Sequence, residues 1–206
     1  RVARGKYQYA DRPIVINNWE ATFFDFDDKK LDQIIDEAKP LGIEMFVLDD
    51  GWFGHRNDDN SSLGDWFVNQ DKLTGGLKRV ADRTHEHGMK FGLWFEPEMI
   101  SVDSKLYKKH PDYALHEPNR GMTLSRNQLV LDFSRKEVVD NIYNQMCLIL
   151  DKVPLDYIKW DFNRNLTEVF SSAADAERQG EVSHRYVLGL YDLMERLVTR
   201  YPNILF

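Results

Sequence analysis

The sequence predicts an α/β fold of the TIM (β/α)8-barrel type, with about the first five to six β/α units present. Two observations carry this expectation. Short apolar runs alternate with stretches whose apolar residues recur at helical spacing, and those helices are long enough to be crossover connections, so the sheet should be parallel. Each apolar run also ends in polar or acidic residues, the habit of a barrel whose site lies at the C-terminal ends of its strands. A doubly wound sheet alternates in the same way, but no glycine-rich phosphate turn follows the first strand, where Asn17-Asn18-Trp19-Glu20 stands instead. A complete barrel needs about 250 residues. With 206 residues, the chain is expected to be a piece of a longer protein.

Taken in order, residues 13–19 read as a buried strand running out into polar groups. Asp27 or Asp28 then caps a helix whose apolar stripe is Leu31, Ile34, Ile35 and Ala38, and Gly42 ends it. Residues 43–48 make the second strand, finishing in Asp49-Asp50-Gly51-Trp52. Residues 53–65, rich in Gly, Asn, Asp and Ser, read as a surface loop. Leu77, Val80, Ala81 and Thr84 recur at helical spacing until Gly88. Residues 90–98 form the third strand, apolar on both faces and stopped by Pro97. A helical turn over 104–110 precedes an irregular stretch, 113–126, with room for a hairpin, and residues 129–133 are the fourth strand. Ser134-Arg135-Lys136-Glu137 fits a capping box for a helix carried by Val138, Val139, Ile142, Met146, Ile149 and Leu150, with Pro154 marking its end. The fifth strand begins at Tyr157. After a polar loop, 171–180, a helix uses Tyr186, Leu190, Leu193, Met194 and Leu197, and residues 203–206 open a sixth strand.

Composition excludes several classes of function. At 42% hydrophobic and 30% charged, the chain can bury the core of one globular domain. A net charge of -7 and the lack of any basic run argue against nucleic acid, which is bound largely through Lys and Arg. No apolar run approaches the roughly 20 residues of a membrane span. The single Cys147 lies in a helical pattern and forms no internal disulfide, which suits a reducing, cytoplasmic compartment. Nothing at the N-terminus looks like a leader, so the triplets Asn60-Ser61-Ser62 and Asn165-Leu166-Thr167 read as chance matches to a glycosylation signal. Five Trp, several beside acids at strand ends, suit stacking on sugar rings, although ordinary core Trp would look the same.

The stretch Tyr157-Ile158-Lys159-Trp160-Asp161-Phe162-Asn163-Arg164 concentrates the chemistry. Strand periodicity puts Lys159, Asp161 and Asn163 on one face and Trp160 and Phe162 on the other, the side packed on helices in a barrel. A Lys two residues before an Asp favours the ionised carboxylate, as a carboxylate nucleophile requires. The same pair could be a structural ion pair, and a Lys at a barrel mouth could instead form a Schiff base with a carbonyl substrate. A close carboxylate works against that last reading. Asp49 and Asp50 could bind a divalent cation or accept hydrogen bonds from paired sugar hydroxyls; sugar is favoured because no His lies at ligand spacing. His85 and His87, two apart on a helix, diverge. Glu96 and Glu98 flank Pro97, and either could be a general acid or support a neighbour. A barrel-like module that binds carbohydrate without turning it over is a further alternative.

Three ordered motifs then carry a resemblance that covers about residues 13–206: Leu48-Asp49-Asp50-Gly51-Trp52, Phe91-Gly92-Leu93-Trp94-Phe95-Glu96-Pro97-Glu98-Met99, and Lys159-Trp160-Asp161-Phe162-Asn163-Arg164. Together they resemble the barrel motifs of glycoside hydrolase family 36, the bacterial-type α-galactosidases. The resemblance implies retaining hydrolysis of terminal α-galactosides of the melibiose and raffinose type, with no metal and no organic cofactor. By position, Asp161 resembles the nucleophile, and Trp19, Asp49, Asp50, Trp94, Arg126, Lys159 and Asn163 resemble the galactose-binding set. The family's general acid/base is an Asp in a glycine-rich segment after the sixth strand, which would lie beyond Phe206. Residues 1–206 are thus expected to be a catalytic barrel domain incomplete at its C-terminus, without the flanking β-rich domains and with homo-oligomers an option for the full-length protein.

Overall fold

The computed structural model describes residues 7–206. The expectation of no leader bears in part on residues 1–6, which lie outside the described residues. Four parallel strands form the central sheet: β1 (Val15–Asn17), β2 (Met45–Leu48), β3 (Lys90–Phe95) and, after two shorter strands, β6 (Tyr157–Trp160), in the order β1-β2-β3-β6. The pairing aligns Phe46 with Phe91, Leu48 with Leu93, and Leu93 with Ile158, so these apolar side chains share one face and join the core. The other face carries Val47, Gly92 and Tyr157 in one row and Trp94 and Lys159 in the next. Gly92 leaves room for that row, because a Cβ there would lie 2.8 Å from the Tyr157 ring and 2.9 Å from Val47.

The helices are α1 (Trp19–Thr22), α2 (Asp28–Ala38), α3 (Gly76–Glu86), α4 (Lys105–Lys109), α5 (Lys136–Leu150) and α6 (Val182–Arg200). Asp27 caps α2, its carboxylate accepting the Lys30 N–H at 2.8 Å, and Ser104 does the same for α4 through the Tyr107 N–H. The expected stripes are inside: Leu31, Ile35 and Ala38 of α2, Leu77, Val80, Ala81 and Thr84 of α3, all six residues named for α5, and Tyr186, Leu193 and Leu197 of α6. Helix α2 packs on α3, and α5 on α6.

Six expectations are corrected. Residues 129–133 are not the fourth strand of the sheet; β5 (Leu129–Val130) pairs antiparallel with β4 (Met99–Ile100) in a separate ribbon. Leu129 and Val130 are taken up by pairing with Met99 and Ile100, and the fifteen-residue α5 then returns the chain to the sheet. The place beside β3 therefore falls to β6. The described chain holds four strands of the sheet and the start of a fifth, where Leu205 bridges Tyr157 in parallel, rather than five to six units, and no closed barrel is formed among the described residues.

Strand β1 is not buried among the described residues, where it has a partner, β2, on one side alone and Ile14 and Val15 are exposed. Residues 53–65 are irregular, as expected, but only 54–55 and 57–60 reach the surface: Phe53, Arg56 and 61–65 are buried, Phe53 and Trp66 sit 4.4 Å apart between ring centroids, and Asp65 caps the Lys105 and Leu106 N–H groups. The capping box at Ser134 does not form. Asp132 takes both the N–H and the hydroxyl of Ser134, and Glu137 pairs with Arg135 at 2.8 Å. Finally, Phe162 is exposed instead of packed on helices, since the strand ends at Trp160 and the Phe162 N–H folds onto the carboxylate of Asp161 at 3.0 Å.

Candidate active site

The C-terminal ends of β1, β2, β3 and β6 gather the polar residues. Beyond β2 the chain is pinned by Asn18, whose Oδ1 accepts the Asp49 N–H at 2.9 Å. Asp49 Oδ1 accepts the Asp50 N–H at 3.0 Å, and Gly51, at φ 105°, makes the sharp turn that sends the two carboxylates apart. Asp49 Oδ2 lies 2.8 Å from Lys159 Nζ, while Asp50 is gripped by Arg56 through both oxygens, at 2.6 and 2.8 Å. That is the bidentate geometry a planar guanidinium favours. Burial pushes the Asp50 carboxyl above its ordinary value, and Arg56 opposes the shift.

Lys159 therefore does not neutralise Asp161, as its spacing in the sequence suggested. Its long stem reaches over β3, and its ion pair is with Asp49. Asp161 is held by three donors instead: the Trp94 indole N–H at 3.0 Å and the Asn163 amide at 2.8 Å on Oδ2, and the Phe162 N–H at 3.0 Å on Oδ1. The Asp161 N–H binds the Phe95 carbonyl at 2.8 Å, which carries the β3–β6 pairing one residue past Trp160. Trp94 is buried, its ring near Phe53 and Trp66, so it contributes an N–H to Asp161 from behind.

Asn163 is itself supported. Its backbone N–H binds Glu96 Oε1 at 2.6 Å, and the Gln128 amide binds the same oxygen at 2.9 Å. Glu96 is buried, and burial raises its carboxyl above the usual range, the Asn163 and Gln128 donors opposing and Asp161 adding to the rise. Of the two readings for Glu96, the geometry matches support of a neighbour. Glu98 belongs to the helix layer: it accepts the Trp160 indole N–H at 2.9 Å and the Tyr186 hydroxyl of α6, and burial raises it too. It is not at the strand mouth and cannot serve there as an acid.

Arg126 and Asn127 both adopt positive φ, 55° and 57°, at the centre of the turn from Ser125 to Gln128, the twist a two-residue hairpin turn demands. This hairpin brings the Arg126 guanidinium to 3.4 Å from Asn163 Oδ1. Arg164 staples the turn to β6, its Nη1 donating to the Thr123 and Gln128 carbonyls. Trp19, on the single turn α1, is half-buried with Phe23 and Phe24 edge-on at 5.3 and 5.0 Å. Sequence reasoning missed Arg56, Gln128 and Lys72 altogether, and quoted Arg164 without a role; none of them stands at an informative spacing. Among the described residues no group of three or more His, Cys, Asp or Glu is disposed to hold a metal ion.

Comparison with known proteins matches this arrangement to one family. A family model described as melibiase covers residues 1–206. The chain is 61% identical over its whole length to alpha-galactosidase Mel36A of Lactobacillus acidophilus, spanning 28% of that protein. It is 60% identical to alpha-galactosidase 1 of Pediococcus pentosaceus, again over its whole length and 28% of the relative's. Among solved structures, the GH36 alpha-galactosidase AgaA of Geobacillus stearothermophilus superposes with a TM-score of 0.96 at 54% identity, over 99% of this chain and 28% of AgaA. A variant of AgaA has been solved in complex with raffinose. The chain spans less than a third of the length of these relatives. On a family-model match along its whole length and relatives this similar, the chain belongs to the melibiase family, alongside α-galactosidases of glycoside hydrolase family 36.

Proposed function

We propose that the protein is a retaining α-galactosidase that removes terminal α-galactosyl residues from oligosaccharides of the melibiose and raffinose type, and that residues 1–206 are part of its catalytic (β/α)8 barrel. The observation that carries this reading is the Asp161 carboxylate, held by three donors at the end of β6, with a second, independently paired acid, Asp49, at the end of β2. Asp161 attacks the anomeric carbon and forms a galactosyl ester as the glycosidic bond breaks. The departing oxygen takes its proton from an acid/base Asp expected beyond Phe206. The same group then deprotonates a water, which attacks the anomeric carbon and releases Asp161 as a carboxylate. Retention requires the two carboxyls about 5–5.5 Å apart, and neither Glu96 nor Glu98 is free to take the second place.

Asp49, Asp50 and Lys159 address the sugar hydroxyls, Trp19 offers its ring, and Arg126 and Asn163 close the side next to Asp161, with Trp94 fixing the nucleophile from behind. Acids of this kind discriminate hydroxyl positions because a missing hydroxyl forfeits a charge-assisted hydrogen bond to a buried carboxylate whose geometry its ion pair has already fixed. The reaction uses no metal, so a chelator should leave turnover unchanged. The full-length relatives' names support the substrate class. A cytoplasmic setting is proposed with it, from the single unpaired Cys147. The deciding experiment is Asp161→Ala in the full-length enzyme: turnover of an aryl α-galactoside should vanish with the fold intact. Near-normal turnover would remove Asp161 from the mechanism.

A further inference from the structure

Outside the residues that face the sugar, one side chain joins three segments of the site at a single atom. Lys72, half-buried between Asn69 and α3, donates from Nζ to three backbone carbonyls: Phe24 at 2.8 Å, Arg56 at 2.8 Å and Gly51 at 3.1 Å. Those are all the protons an ammonium has. Its charge also lies 4.7 Å from the centre of the Phe26 ring. Each carbonyl belongs to a segment that carries a galactose-recognising residue or the direct partner of one. Gly51 is the turn that aims Asp49 and Asp50, and a Cβ on it would crowd Phe24, Phe26 and Lys72 itself at 3.1–3.3 Å. Arg56 grips Asp50 and spreads over the Phe24 ring at 5.5 Å. Phe24 packs edge-on against Trp19 at 5.0 Å.

We infer that Lys72 is a positioning residue for galactose recognition: its ammonium ties the Phe24, Gly51 and Arg56 carbonyls together and so sets Trp19, Asp50 and the Asp50–Arg56 pair in register with one another. The inference rests on the role proposed above for Trp19, Asp49 and Asp50. Lys72 touches no sugar and takes no part in bond making. Its own backbone is fixed without its side chain, since the Asn69 N–H binds the Trp52 carbonyl, the Leu73 N–H binds Asn69, and Leu73 is fully buried. Replacing the side chain thus releases the three carbonyls while leaving the segment in place. The tie is also sensitive to pH. Burial lowers the ammonium to about 8, with Asp50 and Asp25 opposing the shift and Arg56 adding to it. Above that value the neutral amine keeps two N–H donors for three carbonyls, and one tie is lost.

The test is galactose binding by titration calorimetry on the full-length enzyme, unmutated and as Lys72→Met, Lys72→Arg and Asp50→Asn, with kcat and KM on an aryl α-galactoside alongside. For Lys72→Met the galactose Kd and the KM should rise about tenfold, the scale of one lost charge-assisted hydrogen bond, with kcat within about threefold. A merely structural Lys72 would lower the melting temperature and leave Kd unchanged, and that result overturns the inference. If Lys72→Met does not fold, the unmutated enzyme decides: its Kd should weaken between about pH 6.5 and about pH 9.5, and the limb should flatten in Lys72→Arg, which stays charged. A flat Kd in the unmutated enzyme overturns the inference. Should Asp50→Asn bind galactose normally, the parent reading of the acids fails and the clamp with it. Weakened binding in Asp50→Asn with normal binding in Lys72→Met overturns the clamp alone.

Discussion

Lys159→Met separates the structural reading of the site from the one its sequence spacing suggested. Lys159 Nζ stands 2.8 Å from Asp49 Oδ2, with the Asp49 side chain 5% and the Lys159 side chain 36% exposed. At an effective dielectric constant of about 20, the bare attraction at that distance is about 6 kcal/mol, most of it cancelled by the desolvation of both groups. Exposed pairs retain about 0–1 kcal/mol, and breaking a fully buried pair from one side costs about 3–5 kcal/mol. A pair with one partner dry and the other a third in water should lie between, at about 1–3 kcal/mol. Methionine keeps the length of the stem, so the loss is electrostatic. If Lys159 serves galactose recognition, addressing a hydroxyl and holding Asp49, the cost falls on galactose binding: KM for an aryl α-galactoside should rise about 5- to 150-fold while kcat stays within about threefold. If Lys159 instead tunes Asp161 or forms a Schiff base, kcat falls and KM holds. That outcome, or a borohydride-trapped adduct on Lys159, would refute the assignment.

Two further outcomes follow from the same contacts. Asn163→Ala removes the 2.8 Å bond to Asp161 Oδ2 but keeps the backbone N–H on Glu96; kcat should fall about tenfold, one charge-assisted bond discounted for partial exposure, with little change in unfolding midpoint. An unchanged kcat would show that Trp94 and Phe162 suffice to hold Asp161. Glu98, raised above its ordinary 4.5 by burial, keeps a proton in the folded state that the unfolded chain releases. Its contribution to stability is complete below about 4.5 and lost as pH rises through the folded value. Glu98→Gln should therefore gain stability relative to the unmutated chain as pH rises, in urea unfolding followed over that window; a constant difference would contradict the buried assignment.

What the sequence made legible was local. Asp27, Ser104 and the stripes of α2, α3, α5 and α6 announce themselves through spacing, because capping and amphipathicity are decided within a few residues. What stayed hidden was set by partners far along the chain. Leu129 and Val130 look like any buried strand, and only their pairing with Met99 and Ile100 leaves the place beside β3 to β6. The residues 53–65 look like solvent-exposed loop because polarity was read as exposure, whereas Arg56 and Asp65 are inside and satisfied by Asp50 and by the α4 backbone. The site was legible as a set of residues and not as a wiring. Asp49, Asp161, Lys159 and Asn163 were all named, yet the partner of Lys159 is 110 residues away, and the donors to Asp161 include Trp94 from the neighbouring strand.

The central claim is that Asp161 becomes covalently bonded to the sugar. The most direct measurement is peptide mass spectrometry on the full-length enzyme, quenched during reaction with an activated galactoside whose glycosyl-enzyme turns over slowly. One added galactosyl mass should appear on the peptide that contains Asp161 and disappear when an acceptor is supplied. An adduct on any other residue, or none while β-galactose is the first product released, would contradict it.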